Sequence, residues 1–334
     1  MDASTRPMRD VFVDAIVAAA RDDRDVVLLT ADDALDLDAL RAARPSQLLR
    51  CDAAEQHMID LAAGLSLAGR HVFAVAPAAV LATRCHEQIR CALATTGRPV
   101  TLVATDVGLG AEDGGPTRYA TEDVACLRAV PGIEVLSPAD GEATAAIAAR
   151  AVASPALRYV RLERPALPPV YQGRFAAALD AGVAEVAAGA EVCLVASGFM
   201  LHRALAARAR LAADGIPAGV IDLFRVKPLD GQRLADLLAH YRAVVTIEEQ
   251  YLPGGVGSAV LEVLSDAGFA LPVVRLGLTE RWHFENGGRS YVLDRAGLGT
   301  ADIVAAARRL AARPTDAASR PRPNRSVERG NLLV

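Results

Sequence analysis

The stretch CDAAEQHMIDLAAGLSLAG, residues 51–69, follows a short apolar run and repeats apolar residues at helical spacing. This pattern predicts a strand that leads into an amphipathic helix, a unit from which α/β folds are built. Glu55 lies at the start of that helix, shortly after Asp52. With Asp52 as the N-cap, the two acids would form a capping box, and first-turn acids also interact favourably with the helix dipole. On these grounds alone, helix capping is the ordinary interpretation of Glu55.

Short apolar runs and helical periods alternate along the rest of the chain in both directions. This alternation is typical of βαβ units arranged around largely parallel sheets. The predicted strands are 26–30, 47–50, 71–76, 99–104, 133–136, 157–162, 191–196, 217–222, 243–248 and 272–276. The predicted helices, besides the one at Glu55, are 9–22, 36–43, 78–96, 121–129, 140–153, 199–213, 231–240, 255–267 and 300–312.

A proline-rich segment interrupts this rhythm near the middle of the chain. Because prolines break both helices and strands, we predict a linker there, between two α/β domains. A length of 334 residues is long for one domain and comfortable for two. The predicted domains are 8–165 and 181–312, with a linker at 166–180 and a flexible tail at 313–334.

The composition argues against several classes of function. The chain is 52% hydrophobic but only 4% aromatic, which suits helices packed closely on Val-rich strands. Its net charge of −4 provides no basic field, so we expect neither nucleic-acid nor membrane binding. No apolar run approaches the roughly 18 residues that span a bilayer, and the first residues lack a signal-peptide pattern.

The cysteines and histidines predict neither disulfides nor a metal site. The five cysteines are scattered without a Cys-x-x-Cys pair, which in a chain lacking an export signal indicates reduced thiols in the cytoplasm. The six histidines include no pair spaced four residues apart, as two ligands on one helix face would be. We therefore predict a cytoplasmic protein with no metal site built from its own residues.

A glycine-rich segment, GLGAEDGGPTR at 108–118, comes just after the strand predicted at 99–104. Sheets of this class place their ligands at the carboxyl ends of strands. The alternative is an ordinary loop whose glycines permit positive φ angles. We call residues 106–118 the glycine loop.

Three segments together resemble the transketolase family. AEQHM at 54–58, followed by LAAGL at 61–65, resembles the family's AEQ-x-M…AAGLA segment. The glycine loop is similar to GEDGPTH, and GGVGSA at 254–259 is similar to GGLGSAV. The resemblance spans about residues 8–312 and implies two doubly wound parallel-sheet domains. These are a thiamine diphosphate pyrimidine-binding fold and a transketolase C-terminal-like domain.

The resemblance implies a cofactor role for four residues. Glu55 matches the glutamate that touches the aminopyrimidine ring of thiamine diphosphate and protonates it. Pro77, Val80 and His86 stand where the family presents aromatic rings to that pyrimidine. Without the resemblance, the segment around Val80 would be interpreted as a plain core helix. Loss of an aromatic pair removes roughly 0.5–1.5 kcal/mol of stacking.

The resemblance also implies substrate contacts at four positions. Asp113 and Arg118 match residues that line the substrate channel, with arginine replacing histidine and one additional glycine between Asp113 and the following proline. Arg164 matches a strand-end arginine that binds sugar phosphate, although a surface pair with Glu163 is the ordinary alternative. Asp106 replaces a phosphate-binding histidine and would repel phosphate. We therefore predict a substrate with a carboxylate or a differently placed phosphate, bound chiefly by Arg118.

The Gly-Asp-Gly…Asn motif that holds Mg²⁺ and the diphosphate in this family does not occur in the sequence. The resemblance therefore implies the C-terminal subunit of a split transketolase-like enzyme, which transfers a two-carbon ketol unit from a ketose to an aldehyde. An N-terminal partner subunit would hold the diphosphate and Mg²⁺, and the two chains would form an α2β2 heterotetramer. Two alternatives are the β subunit of a 2-oxo acid dehydrogenase and a non-catalytic regulatory or scaffold subunit.

Overall fold

The structure, a computed structural model, describes residues 6–32, 35 and 37–313. Within these ranges, every helix is too short or too polar to span a lipid bilayer. The predicted tail at 313–334 lies outside the described residues from 314 onward. The side chain of Asp113 is also outside the description, so its predicted role stays a prediction.

The described strands fall within about three residues of the predicted ones, and two further strands are present. They are β1 Val26–Thr30, β2 Leu48–Arg50, β3 His71–Pro77, β4 Val100–Thr105, β5 Glu134–Leu136, β6 Arg158–Arg161, β7 Ala184–Ala187, β8 Val192–Ala196, β9 Gly219–Asp222, β10 Arg225–Lys227, β11 Ala243–Tyr251 and β12 Val273–Leu278.

The described helices follow the same alternation. They are α1 Met8–Asp22, α2 Asp38–Ala43, α3 Glu55–Leu67, α4 His86–Gln88, α5 Asp123–Arg128, α6 Gly141–Ala153, α7 Phe175–Ala178, α8 Phe199–Ala213, α9 Gly231–Leu238, α10 Val256–Asp266, α11 Gly288–Arg295 and α12 Thr300–Ala311. Short 3-10 helices span Pro45–Gln47 and Glu112–Gly114, and π-helical segments span Val80–Arg84 and Ile89–Ala94.

The first sheet has seven strands in the order β10-β5-β6-β4-β3-β1-β2. Its strands β1 to β6 pair in parallel, and every residue of β1 and β4 is buried. Strand order reverses at β1, which has β2 on one side and β3 on the other. Ligands of open α/β sheets bind outside the carboxyl ends of strands at such a reversal.

The second sheet has the order β12-β11-β8-β9-β7, and its strands are parallel except for β7. The two α/β domains predicted from the sequence are therefore confirmed, although each sheet carries one antiparallel edge strand. Strand β10 lies in the chain after β9 but pairs with β5 of the first sheet. The segment predicted as the second domain thus completes the sheet of the first, and the predicted domain boundaries stay a prediction.

The predicted linker is attached to both domains by buried polar groups. Asp140, the N-cap of α6, also accepts a hydrogen bond from the backbone of Val170 at 2.7 Å. The Tyr171 hydroxyl donates to Asp222 Oδ2 at the end of β9, while Asp222 Oδ1 has no hydrogen-bond partner among the described residues. Burial, reinforced by the charge of Asp140, raises the pKa of the Asp222 carboxyl to about 8.

This raised pKa predicts a pH-dependent stability. The ordinary carboxyl pKa in an unfolded chain is about 3.9. The folded form therefore binds the proton more tightly, and its contribution to stability is lost as the pH rises toward about 8. The free energy of unfolding of Asp222→Asn should therefore rise relative to that of the wild type, by up to ~1.4 kcal/mol per pH unit between about pH 5 and 8.

Urea unfolding across that pH range measures the difference, with Asp266→Asn on the exposed face of α10 as the matched control. If the free energies of unfolding of Asp222→Asn and the wild type change with pH in parallel, Asp222 does not titrate in this way.

Candidate active site

The carboxyl ends of the first sheet's parallel strands bring most of the predicted site residues to one edge. Pro77 ends β3, Asp106 follows β4 and Arg164 comes shortly after β6. Asp32, which follows β1, accepts a hydrogen bond from Thr105 at 3.1 Å. Asp32 was not predicted from the sequence, although its position directly after a buried strand is a usable signal.

Glu55 is the first residue of α3 and is buried, with 8% of its surface exposed. The N-cap residue is Ala54, and no side chain of the described residues caps this helix. Asp52 adopts a positive φ of 42° in the preceding turn. The capping-box interpretation is therefore wrong, because the helix begins later than a box centred on Asp52 requires. The Glu55 carboxylate does not serve as a cap.

An ion pair instead binds the Glu55 carboxylate. Arg84 Nη1 donates to Glu55 Oε2 at 2.9 Å, and the Arg84 side chain is 55% exposed while that of Glu55 is 10% exposed. Gln56 donates to the Arg84 carbonyl at 3.0 Å, which ties α3 to the facing helix. Burial, together with the Glu55 charge, raises the pKa of the nearby Cys85 thiol to about 12. One charge-assisted hydrogen bond from Arg84 therefore binds one oxygen of the Glu55 carboxylate.

The helix predicted at 78–96 is not continuous. Two π-helical segments, Val80–Arg84 and Ile89–Ala94, flank the short α4. Wider π turns change which side chains face a given direction and occur frequently at functional sites. Here the first wide turn ends at Arg84, the partner of Glu55. Arg84 was not predicted, because its spacing fits an ordinary exposed helical arginine.

The residues predicted to face the pyrimidine lie along this segment. Val80 is partly buried and packs on the hydrophobic core that includes Met58 of α3. Pro77 and His86 are half-buried, and His86 Nδ1 has no hydrogen-bond partner among the described residues. Pro77 and Val80 are apolar and His86 is weakly polar, so none of the three positions carries an aromatic hydrocarbon ring.

Two of the predicted substrate residues, Asp106 and Arg164, form an ion pair with one another. Arg164 donates to both carboxylate oxygens of Asp106, with Nε to Oδ1 at 2.6 Å and Nη2 to Oδ2 at 2.9 Å. This hydrogen bonding to Asp106 raises the pKa of Arg164. A carboxylate in this position neutralises the arginine that the family resemblance assigns to sugar phosphate. The Asp106 carboxylate therefore offsets the positive charge of Arg164, besides repelling an anionic ligand.

Arg118, like Arg164, has an exposed side chain, but it forms no ion pair with any described side chain. Its stem packs against the glycine loop, since a Cβ at Gly114 would lie 2.6 Å from the Arg118 Cβ. Gly114 therefore leaves room for the stem of this arginine. The Tyr119 hydroxyl, which donates to the Glu112 carbonyl at 2.6 Å, closes the turn that presents Arg118.

Glu163 is not the surface acid that the sequence suggested. It is 1% exposed and binds Arg289 of α11, with Nη1 to Oε2 at 2.6 Å. The alternative of a surface pair with Arg164 is therefore wrong. Arg161 is also buried and donates to Asp123 at 2.8 Å, so the end of β6 lies on a buried ionic network rather than in solvent.

Side chains that could bind a metal ion do not cluster in the described part of the chain. Its residues contain no group of three or more His, Cys, Asp or Glu side chains that could hold a metal ion.

The glycines at 254–257 have a packing role, because a Cβ at Gly257 would lie 2.6 Å from the Thr246 hydroxyl and 2.8 Å from Glu248 Oε1. Glu248 accepts hydrogen bonds from the first backbone amides of α10, which agrees with close helix–strand packing at this motif.

Comparison with known proteins identifies the family. Residues 4–169 match the family model "Transketolase, pyrimidine binding domain", and residues 182–303 match "Transketolase, C-terminal domain". The chain belongs to the transketolase family. It is 31% identical to 6-deoxy-6-sulfo-D-fructose transketolase subunit SqwH of Clostridium sp. (strain MSTE9), over 92% of this chain and 95% of that relative. A second relative is one of the subunits of the apulose-4-phosphate transketolase of Phocaeicola vulgatus, 29% identical over 81% of this chain and 87% of that protein.

A solved structure described as a split gene transketolase in an inactive β4 tetramer has the same fold, with a TM-score of 0.80. It is 32% identical and covers 91% of this chain and 98% of that one. The chain is thus a transketolase-like C-terminal subunit of the split type, as predicted. It also matches 1-deoxy-D-xylulose-5-phosphate synthase of Thermomicrobium roseum at 36% identity, over 89% of this chain but only 47% of that protein.

Proposed function

We propose that this chain supplies the pyrimidine-binding half of a thiamine diphosphate-dependent active site that transfers a two-carbon ketol unit from a ketose to an aldehyde. The observation that carries the proposal is the buried Glu55 carboxylate, which lies at the start of α3 beside the reversal in strand order. The family models and the split relatives support this activity over the 2-oxo acid dehydrogenase alternative.

The residues present fit the pyrimidine end of the cofactor. Glu55 offers a carboxyl group that is largely shielded from water, and Val80 and Pro77 offer apolar surface for one face of a ring. The Gly-Asp-Gly…Asn motif that holds Mg²⁺ and the diphosphate in this family does not occur in the sequence, which supports placing both on an N-terminal partner subunit. The split relatives support the same division, and we propose an α2β2 heterotetramer in the cytoplasm.

Thiamine diphosphate, when bound, supplies an acidic thiazolium carbon and stabilises the electron pair released when a ketose carbon–carbon bond breaks. Glu55 would hold a proton at the N1′ nitrogen of the pyrimidine and thereby favour the basic form of the exocyclic amine. Arg84 would orient the Glu55 carboxyl group through its contact with Oε2. Val80 and Pro77 would exclude water from the same face of the ring.

For the substrate, we propose that Arg118 binds an anionic group. Arg118 is exposed and has no ion pair to a described side chain, whereas the charge of Arg164 is neutralised by Asp106. Arginine offers a forked, permanent cation that suits a carboxylate or phosphate. The two split relatives are named for a sugar phosphate and a sulfo sugar, which supports an anionic substrate class.

The isolated chain is expected to be inactive and to bind thiamine diphosphate weakly or not at all. The reason is that the sequence lacks the Gly-Asp-Gly…Asn motif by which this family holds Mg²⁺ and the diphosphate, the charged end of the cofactor. Calorimetric titration of the isolated chain and of the chain mixed with its co-purified N-terminal partner measures the difference. Micromolar cofactor binding by the isolated chain would contradict the proposed division of the site.

A further inference from the structure

The glycine loop rests on a buried acid from the second sheet. Gly108 has a φ of +58°, and a Cβ built there would overlap Oε1 of Glu249, a residue of β11. The Ala120 amide donates to the Gly108 carbonyl at 2.8 Å, so both ends of the loop converge on this point. The loop backbone is therefore in direct contact with the Glu249 carboxylate.

One guanidinium holds this acid in place. Arg289 Nε donates to Glu249 Oε2 at 2.9 Å, and Arg289 Nη2 binds Glu249 Oε1. The guanidinium carbon lies 4.0 Å from the centre of the Phe199 ring. The arginine side chain is only 4% exposed, so water does not compete for these bonds.

The same guanidinium reaches the strand end that carries Arg164. Arg289 Nη1 donates to Glu163 Oε2 at 2.6 Å, and Glu163 Oε1 accepts from the Phe199 amide at 3.0 Å. Helix α11, whose second residue is Arg289, also packs against the short helix Glu112–Gly114 inside the glycine loop. Both segments that carry candidate substrate residues are thus attached to a single side chain of the second domain.

We propose that Arg289 is a positioning residue. By binding both Glu249 and Glu163, it fixes the glycine loop and the strand end that carries Arg164 relative to one another. This inference rests on the proposed function, because it assigns the C-terminal domain a part in substrate binding. Because the Arg289 guanidinium is buried and bound by Glu249 and Glu163, we assign it no direct contact with substrate or cofactor. Its effect reaches the substrate through Gly108 and hence through the placement of Arg118.

Two variants disturb this contact from opposite sides. Arg289→Lys keeps the charge but removes the fork that holds Glu249, and Gly108→Ala forces a Cβ into the space of the Glu249 carboxylate. Arg158→Lys is the matched control, since Arg158 is equally buried and pairs with Glu134 at 2.7 Å at the amino end of β6, away from the site. Because the two test variants act on one contact, their effects should be less than additive.

The first readout is amide hydrogen exchange of the chain, followed over residues 106–120. We expect the hydrogen-bonded loop amides, such as those of Gly110 and Ala120, to exchange about tenfold faster or more in Arg289→Lys and Gly108→Ala. In Arg158→Lys they should exchange at the wild-type rate. Unchanged loop exchange in both test variants would overturn the inference whether or not the enzyme is a transketolase.

The second readout is steady-state kinetics of the chain with its partner. A displaced loop should raise the KM for the ketose about tenfold or more, with little change in kcat or in cofactor affinity. A lower kcat at unchanged KM would indicate only a smaller folded fraction and would overturn the positioning role. If loop exchange rises as expected but the wild-type pair transfers no ketol unit, the anchoring of the loop stands and the proposed function fails.

Discussion

Replacing Glu55 with glutamine is expected to lower ketol transfer by the reconstituted pair roughly 10²–10⁴-fold, the usual range for loss of a general acid–base group. Glutamine keeps the shape of the side chain and can still accept a hydrogen bond from Arg84. It has no acidic proton to place on the pyrimidine nitrogen. The measurement is kcat with saturating cofactor and substrate, compared with the wild type.

The matched control is Asp60→Asn, which removes an exposed acid from the same helix. We expect this control to retain wild-type activity and both variants to retain the wild-type unfolding midpoint within experimental error. Activity of Glu55→Gln close to that of the wild type would remove Glu55 from the mechanism. It would also favour a scaffold role for this chain.

Arg118→Ala is expected to reduce kcat/KM for an anionic ketose about 10- to 150-fold, equivalent to roughly 1.5–3 kcal/mol for a charge-assisted contact. The structural reason is that Arg118 is exposed and unpaired with any described side chain, whereas Arg164 is bound by Asp106. The effect should appear mainly in KM. Arg118→His tests whether the histidine typical of the family restores activity with xylulose 5-phosphate.

The control for this series is Arg309→Ala, which removes an exposed arginine from α12 in the second domain. The comparison uses xylulose 5-phosphate and a panel of carboxylated ketoses with each variant. Efficient wild-type turnover of xylulose 5-phosphate that survives in Arg118→Ala would show that the loop does not bind the substrate anion through this residue.

The arrangement of the fold was largely predictable because buried parallel strands leave a strong sequence pattern. Strand β1, for example, is an almost uninterrupted apolar run, and its predicted bounds match the observed Val26–Thr30. Strands β7 and β10 were missed because each is short, antiparallel and partly polar. Pairing of β10 with the first sheet is a tertiary contact that local periodicity cannot show.

A candidate site could be proposed from the sequence only where a single residue type decides the chemistry. Glu55, Arg118 and Asp106 were proposed from their place in family-like segments, and their roles stay predictions. The ion pairs that bind Glu55 and Asp106 were not predicted. Arg84 binds Glu55 across a wide helical turn, and Arg289 binds Glu163 from 126 residues further along the chain. Such pairs depend on packing between distant segments, which residue spacing does not encode.

The most direct test of the central claim is the rate of two-carbon transfer from a ketose to an aldehyde, measured while this chain is titrated into its co-purified N-terminal partner. Thiamine diphosphate and Mg²⁺ are present throughout. We predict no transfer by either chain alone and a rate that saturates at equal amounts of the two. Full activity of the partner without this chain, or no cofactor-dependent transfer at any ratio, would contradict that claim.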